Sequence, residues 1–167
     1  MLKLFAAIRT FVFDADGVLT DGSIMPAEDG HMLRSMNTKD VYALQLSIKK
    51  GYKIWILSEN KLGTEVKLFL NTLGIQEVHF DIDNKKEFLY KTASTSNTGF
   101  ESILYMGDDL PDYAAMQLCG LPCCPNDAVT EIRQTAKYIS PINGGKGCVR
   151  DVIEKTLKLN GDWEMPK

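Results

Sequence analysis

The apolar run Ile8 to Phe13 stops abruptly at Asp14-Ala15-Asp16-Gly17, and this junction constrains the fold more than any other stretch. A short apolar run closed by glycine reads as a buried strand leaving its sheet. Two carboxylates two residues apart at its carboxyl end lie where open α/β sheets bind ligands. Like charges that close repel unless a cation lies between them or one carboxyl keeps its proton. A metal-assisted nucleophile with a neighbouring general acid meets both conditions. An acidic turn without chemistry is the competing reading, because Asp and Gly favour turns in any case.

The pattern repeats downstream. Lys53 to Leu57 runs into Ser58, the weaker segment Glu77 to Phe80 precedes Lys85, and Ile103 to Met106 ends in Gly107-Asp108-Asp109-Leu110-Pro111-Asp112. Between these runs, Val41, Leu44 and Ile48 recur at helical spacing before Gly51, as do Leu62, Val66, Phe69 and Leu73 before Gly74. Further helices are expected from about Lys85, from about Pro111 and over Val149 to Leu159. Strands are expected over Leu121 to Cys124 and around Lys137 to Ile139. Gly22 to Met36 lacks a helical period and carries Asp29-Gly30 between short apolar runs, which predicts a two-stranded flap. Alternating strands and helices predict an α/β fold, a doubly wound parallel sheet covered on both faces, in a single domain over 1–167.

Taken in order, an acid pair, a hydroxyl, a lysine and an acid cluster resemble the phosphatases of the haloacid dehalogenase superfamily. A narrower resemblance rests on four segments: Asp16-Gly17-Val18-Leu19-Thr20-Asp21-Gly22, Asn37-Thr38-Lys39-Asp40, Tyr105-Met106-Gly107-Asp108-Asp109 and Asn143-Gly144-Gly145-x-Gly147-x-x-Arg150-Asp151. They are similar to the 3-deoxy-D-manno-octulosonate 8-phosphate phosphatases, over nearly the whole chain. That resemblance implies a Rossmann-like domain of haloacid dehalogenase type with a β-hairpin flap and no cap domain. It also implies a homotetramer acting on a phosphorylated keto sugar acid, in the making of the lipopolysaccharide sugar KDO.

The same resemblance implies site roles. Asp14 would be the nucleophile and Asp16 the general acid and base. Ser58 and Lys85, or the adjoining Lys86, would hold the transferring phosphoryl group, since that chemistry needs positioning and charge cancellation. Mg²⁺ would be held by Asp14, Asp108 and the main-chain carbonyl of Asp16, with Asp109 and Asp112 in support. The expected substrate contacts are Asp16, Asn37, Thr38, Lys39, Asp40, Asn60, Lys61 and Lys85. The loop Gly144 to Gly147 and the tail through Trp163 are expected to reach a site, with Lys146 facing an anionic substrate.

One segment departs from the family. Its second motif continues as Thr-Gly-Arg, whereas this chain has Ser58-Glu59-Asn60-Lys61 and so lacks an arginine able to pair with a sugar-acid carboxylate. Lys61 or Lys67 is the available replacement, without the bidentate fork. The glutamate resembles that of phosphatases acting on nine-carbon homologues, so eight- and nine-carbon keto acid phosphates are the alternative substrates. A catalytically silent oligomerisation domain is the non-enzyme alternative, and such a domain has no need of Asp14, Asp16, Asp108 and Lys85.

Charge and composition narrow the partners. A net charge of −3 with no basic block gives nucleic acid no electrostatic footprint. No apolar segment approaches the ~20 residues that span a bilayer, and Met1 to Ala7 is too short for a signal-peptide core, so no membrane partner and a cytoplasmic location are expected. Cys119, Cys123 and Cys124 cluster without a matching second pair, which favours buried thiols over zinc. His31 and His79 have no ligand spacing.

Overall fold

β1 (Thr10–Phe13) alternates its side chains between two cores, with Phe11 and Phe13 on one face and Val12 on the other, all fully buried. A strand buried on both faces belongs in the middle of a parallel sheet. The computed structural model, which describes residues 1–164, places it there. In chain order, α1 (Leu2–Ala7) leads into β1, and β2 (Met25–Pro26) and β3 (Met32–Leu33) form the flap hairpin. Then come α2 (Thr38–Lys49), β4 (Lys53–Leu57), α3 (Thr64–Thr72), β5 (Glu77–His79), α4 (Lys85–Thr95) and β6 (Ile103–Met106). α5 (Tyr113–Met116), β7 (Leu121–Cys124), α6 (Thr130–Thr135), β8 (Tyr138–Ile139) and α7 (Cys148–Leu159) complete it.

The sheet runs β5-β4-β1-β6-β7-β8, and every pairing in it is parallel. The chain works outward from β1 to β5, then returns to the other side of β1 and works outward again. The reversal makes a topological switch point between β1 and β6, whose carboxyl ends open a crevice for a ligand. α1, α2, α3 and α7 cover the face that includes Phe11 and Phe13, while α4, α5 and α6 cover the face that includes Val12, Trp55 and Tyr105. On α7, Val149, Val152, Ile153 and Leu157 give the buried stripe its helical spacing.

Two elements are not predicted by the sequence pattern. α1 and α6 are six residues each, too short for a helical period to register, and each buries one apolar side chain, Phe5 and Ile132. The helix expected from Pro111 is a tight turn, Leu110–Asp112, followed by the four residues of α5. All four cysteines are free and buried. Among the described residues no helix is long and apolar enough to cross a membrane.

Candidate active site

The crevice at the switch point collects the acids. Asp14 leaves β1 with its backbone N–H bonded to the Met106 carbonyl (3.1 Å), and Asp108 leaves β6 two residues beyond Met106. The turn Ala15–Leu19 then bends at Gly17, whose φ of 89° belongs to the left-handed region. A Cβ at Gly17 would lie 2.0 Å from Asp108 Oδ2, so only glycine lets the two loops close on each other.

Lys85, at the first position of α4, lies under the acids. Its Nζ is 2.7 Å from Asp14 Oδ1, 2.8 Å from Asp112 Oδ1 and 2.7 Å from Glu59 Oε2. Of the two adjoining lysines, Lys85 is the one that meets the acids; Lys86 is exposed on the same turn. Asp112, buried, also accepts from the Tyr105 hydroxyl (2.8 Å) and from the Asp108 backbone N–H (3.2 Å). Asp109, by contrast, is exposed and caps the Leu110–Asp112 turn through Leu110 N–H.

Charge in this cluster does not balance. Carboxylate oxygens of Asp14, Asp108 and Asp112 lie within 4.8 Å of one another, and the Lys85 ammonium pairs with two of them, Asp14 and Asp112. Burial first, then the Asp112 charge, raises the Asp14 carboxyl well above its ordinary range despite the pull of Lys85. Burial, Asp112 and Asp109 push Asp108 up to about 7. Asp108 Oδ1 is buried with no hydrogen-bond partner. A hard oxygen set with an orphaned carboxylate oxygen fits Mg²⁺, and no imidazole or thiolate joins it. Both Asp112 oxygens are engaged, by Lys85 and Tyr105 and by the Asp108 N–H, which leaves the second Asp14 oxygen and Asp108 Oδ1 as the available ligand atoms.

Asp16 turns the other way. Arg34, at the foot of the flap, donates through Nε to Oδ1 (2.7 Å) and through Nη2 to Oδ2 (3.0 Å), and Asn60 Nδ2 reaches Oδ2 (3.0 Å). Its carboxylate is thus held by Arg34 and Asn60, while Lys85 serves Asp14 and Asp112.

The remaining expected residues divide. Ser58 is buried at the end of β4, and its hydroxyl accepts from Asn60 N–H (3.2 Å). Asn37 caps α2 through Lys39 N–H (2.9 Å), and Thr38 and Lys39 are exposed on its first turn. Lys61 is exposed, 3.5 Å from Asp81, and lines a cleft of about 700 Å³ between the flap and α3. Asp40 corrects the expectation of a sugar contact. It is fully buried, with its carboxylate taking the Arg150 backbone N–H (2.7 Å) at the start of α7, and burial pushes its pKa up to about 6. It joins two helices. Lys146 likewise pairs with Asp21 (3.1 Å), and Trp163 packs over Arg150 and Tyr42 of its own chain.

Two participants escape the sequence pattern. Arg34 could have been noticed as the one arginine between Arg9 and Arg133. Tyr105 reads as an apolar strand residue, and nothing local signals its hydroxyl bond. The glycine loop read from the sequence packs by backbone: a Cβ at Gly144 would lie 1.9 Å from the Gly17 carbonyl oxygen, while Gly145 N–H bonds Val18 O (2.9 Å). The glycine loop thus backs the Asp14–Gly22 loop, backbone against backbone.

No protein-family model matches the chain. The 3-deoxy-D-manno-octulosonate 8-phosphate phosphatase KdsC of Yersinia pestis is 32% identical over 168 residues, spanning 96% of this chain and 88% of its own. The crystal structure of the 3-deoxy-D-manno-octulosonate 8-phosphate phosphatase from Moraxella catarrhalis, in complex with magnesium ion, phosphate ion and KDO, matches with a TM-score of 0.90 and 27% identity. That match covers 95% of this chain and 90% of the other. A Legionella pneumophila protein assigned to the HAD superfamily (subfamily III A) hydrolases matches with a TM-score of 0.91 and 26% identity, over 96% of this chain and 87% of its own.

Proposed function

The chain belongs to the 3-deoxy-D-manno-octulosonate 8-phosphate (KDO 8-phosphate) phosphatase family of the haloacid dehalogenase superfamily, and on that premise we propose how its own residues carry out the reaction. It hydrolyses KDO 8-phosphate to KDO and phosphate, with Mg²⁺, in lipopolysaccharide sugar biosynthesis. The observation that carries this reading is the meeting of Asp14, Asp108 and Lys85 at the β1–β6 switch point, with Asp16 held by Arg34 and Asn60.

Asp14 attacks phosphorus in line, forming an aspartyl phosphate as the bond to the sugar oxygen breaks. Asp16 gives its proton to that departing oxygen. It then takes a proton from the water that attacks the intermediate, and Asp14 leaves as the carboxylate. Lys85 aims the Asp14 carboxylate through its 2.7 Å bond and cancels charge beneath the phosphoryl oxygens. Ser58, whose hydroxyl accepts from Asn60 N–H and so keeps its own proton to donate, holds a phosphoryl oxygen. Asp14 and Asp108 side chains with the Asp16 carbonyl would hold Mg²⁺, which supplies neutralisation of the nucleophile and the phosphate dianion.

Phosphate release across eight- and nine-carbon keto acid phosphates tests the substrate. Preference for the eight-carbon ester is expected, because the Glu59 carboxylate faces Lys85 at 2.7 Å and its Oε2 is buried there. Preference for the nine-carbon ester would overturn it.

The cation has a signature in stability. Unfolded Asp108 ionises near 3.8, but the folded carboxyl holds its proton to about 7. Between those values the unfolded state binds fewer protons, so the stability of the metal-free protein falls as pH rises. Mg²⁺ is expected to abolish that fall and to be required for turnover. Thermal unfolding from pH 4 to 8, in chelator and in Mg²⁺, measures it; superimposable curves would argue against a cation at Asp14 and Asp108.

Assembly follows from the flap. Ile24, Met25, Met32 and Leu33 are each at least 50% exposed on one small hairpin, more apolar surface than a monomer ordinarily leaves bare. We read this as the contact that builds a homotetramer and closes the uncapped site. Mass in solution should be that of four chains, and Met25→Glu with Met32→Glu should disperse it and lower kcat/KM. A monomeric wild type would refute the assembly. The free buried thiols suit a reducing compartment, and we place the enzyme in the cytoplasm.

A further inference from the structure

We propose that Arg34 is a positioning residue for Asp16, through which the flap orients the acid/base carboxyl toward the sugar leaving group. The proposal rests on the reading of Asp16 as the proton donor. Arg34 follows β3, where the flap returns to the body of the fold. Its guanidinium meets both Asp16 oxygens in a fork, at 2.7 and 3.0 Å, and its Nη1 donates back to the Met32 carbonyl (3.3 Å). Hairpin backbone, guanidinium and catalytic carboxylate thus form one connected unit. Asn60 Nδ2 adds a second donor to Oδ2 at 3.0 Å, and the Thr20 hydroxyl one to Oδ1 at 3.4 Å.

Two physical points separate this contact from an ordinary surface ion pair. The side chains are 8% and 16% exposed, so water screens the charges little. The fork also fixes direction as well as distance, which a lysine ammonium at the same place would not do. Proton transfer requires the carboxyl within hydrogen-bond reach of the departing oxygen. A freely rotating aspartate would spend only part of its time in that orientation. The step itself is balanced: the Asp16 O–H bond breaks, its proton joins the sugar oxygen, the bond from that oxygen to phosphorus breaks, and the Asp14–phosphorus bond forms. While Asp16 carries the proton, its other oxygen still accepts from Arg34, so one prong holds the side chain in either state.

A leaving group that needs no proton separates this role from simple tethering of the flap. The experiment compares kcat/KM for KDO 8-phosphate and for p-nitrophenyl phosphate in the wild type, Arg34→Met, Arg34→Lys and Asp16→Asn, since kcat/KM reports only steps up to departure of the leaving group. Arg34→Met is expected to lose about thirtyfold on the sugar phosphate and less than about threefold on the aryl phosphate, with Arg34→Lys between. Asp16→Asn should show the same asymmetry, larger. The double variant should lose no more than Asp16→Asn alone, because both act on one proton transfer. Equal losses on the two substrates, no loss, or additive losses in the double variant would each overturn the proposal, the last by pointing to direct sugar binding. Asymmetry absent from Asp16→Asn itself would overturn both the acid assignment and this proposal. A wild type that spares KDO 8-phosphate would overturn the substrate alone, and the comparison would then be read on an alkyl phosphate that it cleaves.

Discussion

Asp14→Asn is expected to lower phosphate release by roughly 10⁴-fold or more, with no loss of thermal stability. The amide has nearly the shape of the carboxylate but cannot form the aspartyl phosphate. Stability should hold or rise in metal-free buffer, for a reason specific to this site. Burial and the Asp112 charge raise the Asp14 carboxyl, which means that its ionised form is held at a cost in the folded state. A neutral side chain removes that cost while the amide oxygen still accepts from Lys85. A nucleophile that destabilises its own fold is the expected signature of a functional site. Coupled-assay turnover and calorimetric melting measure the two quantities. Retention of a few per cent of activity would show that another group attacks phosphorus, and a melting temperature lowered by several degrees would show that Asp14 is a structural carboxylate.

What could be read in advance follows from how local each feature is. β4 spans Lys53–Leu57 as its apolar run predicts, and Asp14 follows β1 because a doubly buried strand ending in acids has few places to go. The flap hairpin turns at Asp29-Gly30, with Gly30 at a φ of 85°, because that dipeptide favours such a turn. Roles that depend on distant chain were hidden. Asp40 shares the Asn37 to Asp40 segment whose resemblance implies substrate contact, yet its partner is the Arg150 backbone N–H, on α7. Arg34 and Asp16 belong to different motifs, and only the folding back of the hairpin joins them. Gly144 contributes nothing locally that a loop glycine would not; its reason is the Gly17 carbonyl pressed against it. Asp112 is legible as a supporting acid, but its burial and its bonds to Lys85 and Tyr105 are not.

Lys85→Met should abolish turnover and also weaken the fold. Methionine keeps the length and apolar stem of the side chain and removes only the ammonium. Burial works against that charge, yet Asp112 and Asp14 outweigh it and hold the lysine protonated far above its ordinary range. In the variant, Asp14, Glu59 and Asp112 face one another with no cation among them. Removing one partner of a buried ion pair costs about 3–5 kcal/mol. For a chain of this size that corresponds to a melting temperature lower by roughly 6–20 °C. The sign of its pH dependence identifies the cause. Without the ammonium, which draws the Asp14 and Asp108 carboxyls down, those two hold their protons to higher pH in the folded state, so the deficit should shrink as the pH falls toward 4. Lys86→Met, one residue along and exposed, should change neither activity nor melting by a comparable amount. Melting curves of both variants at pH 4.5 and 7.5, alongside turnover, make the comparison. A Lys85→Met protein as stable as the wild type at pH 7.5 would mean that the acids share their charge with something other than this lysine.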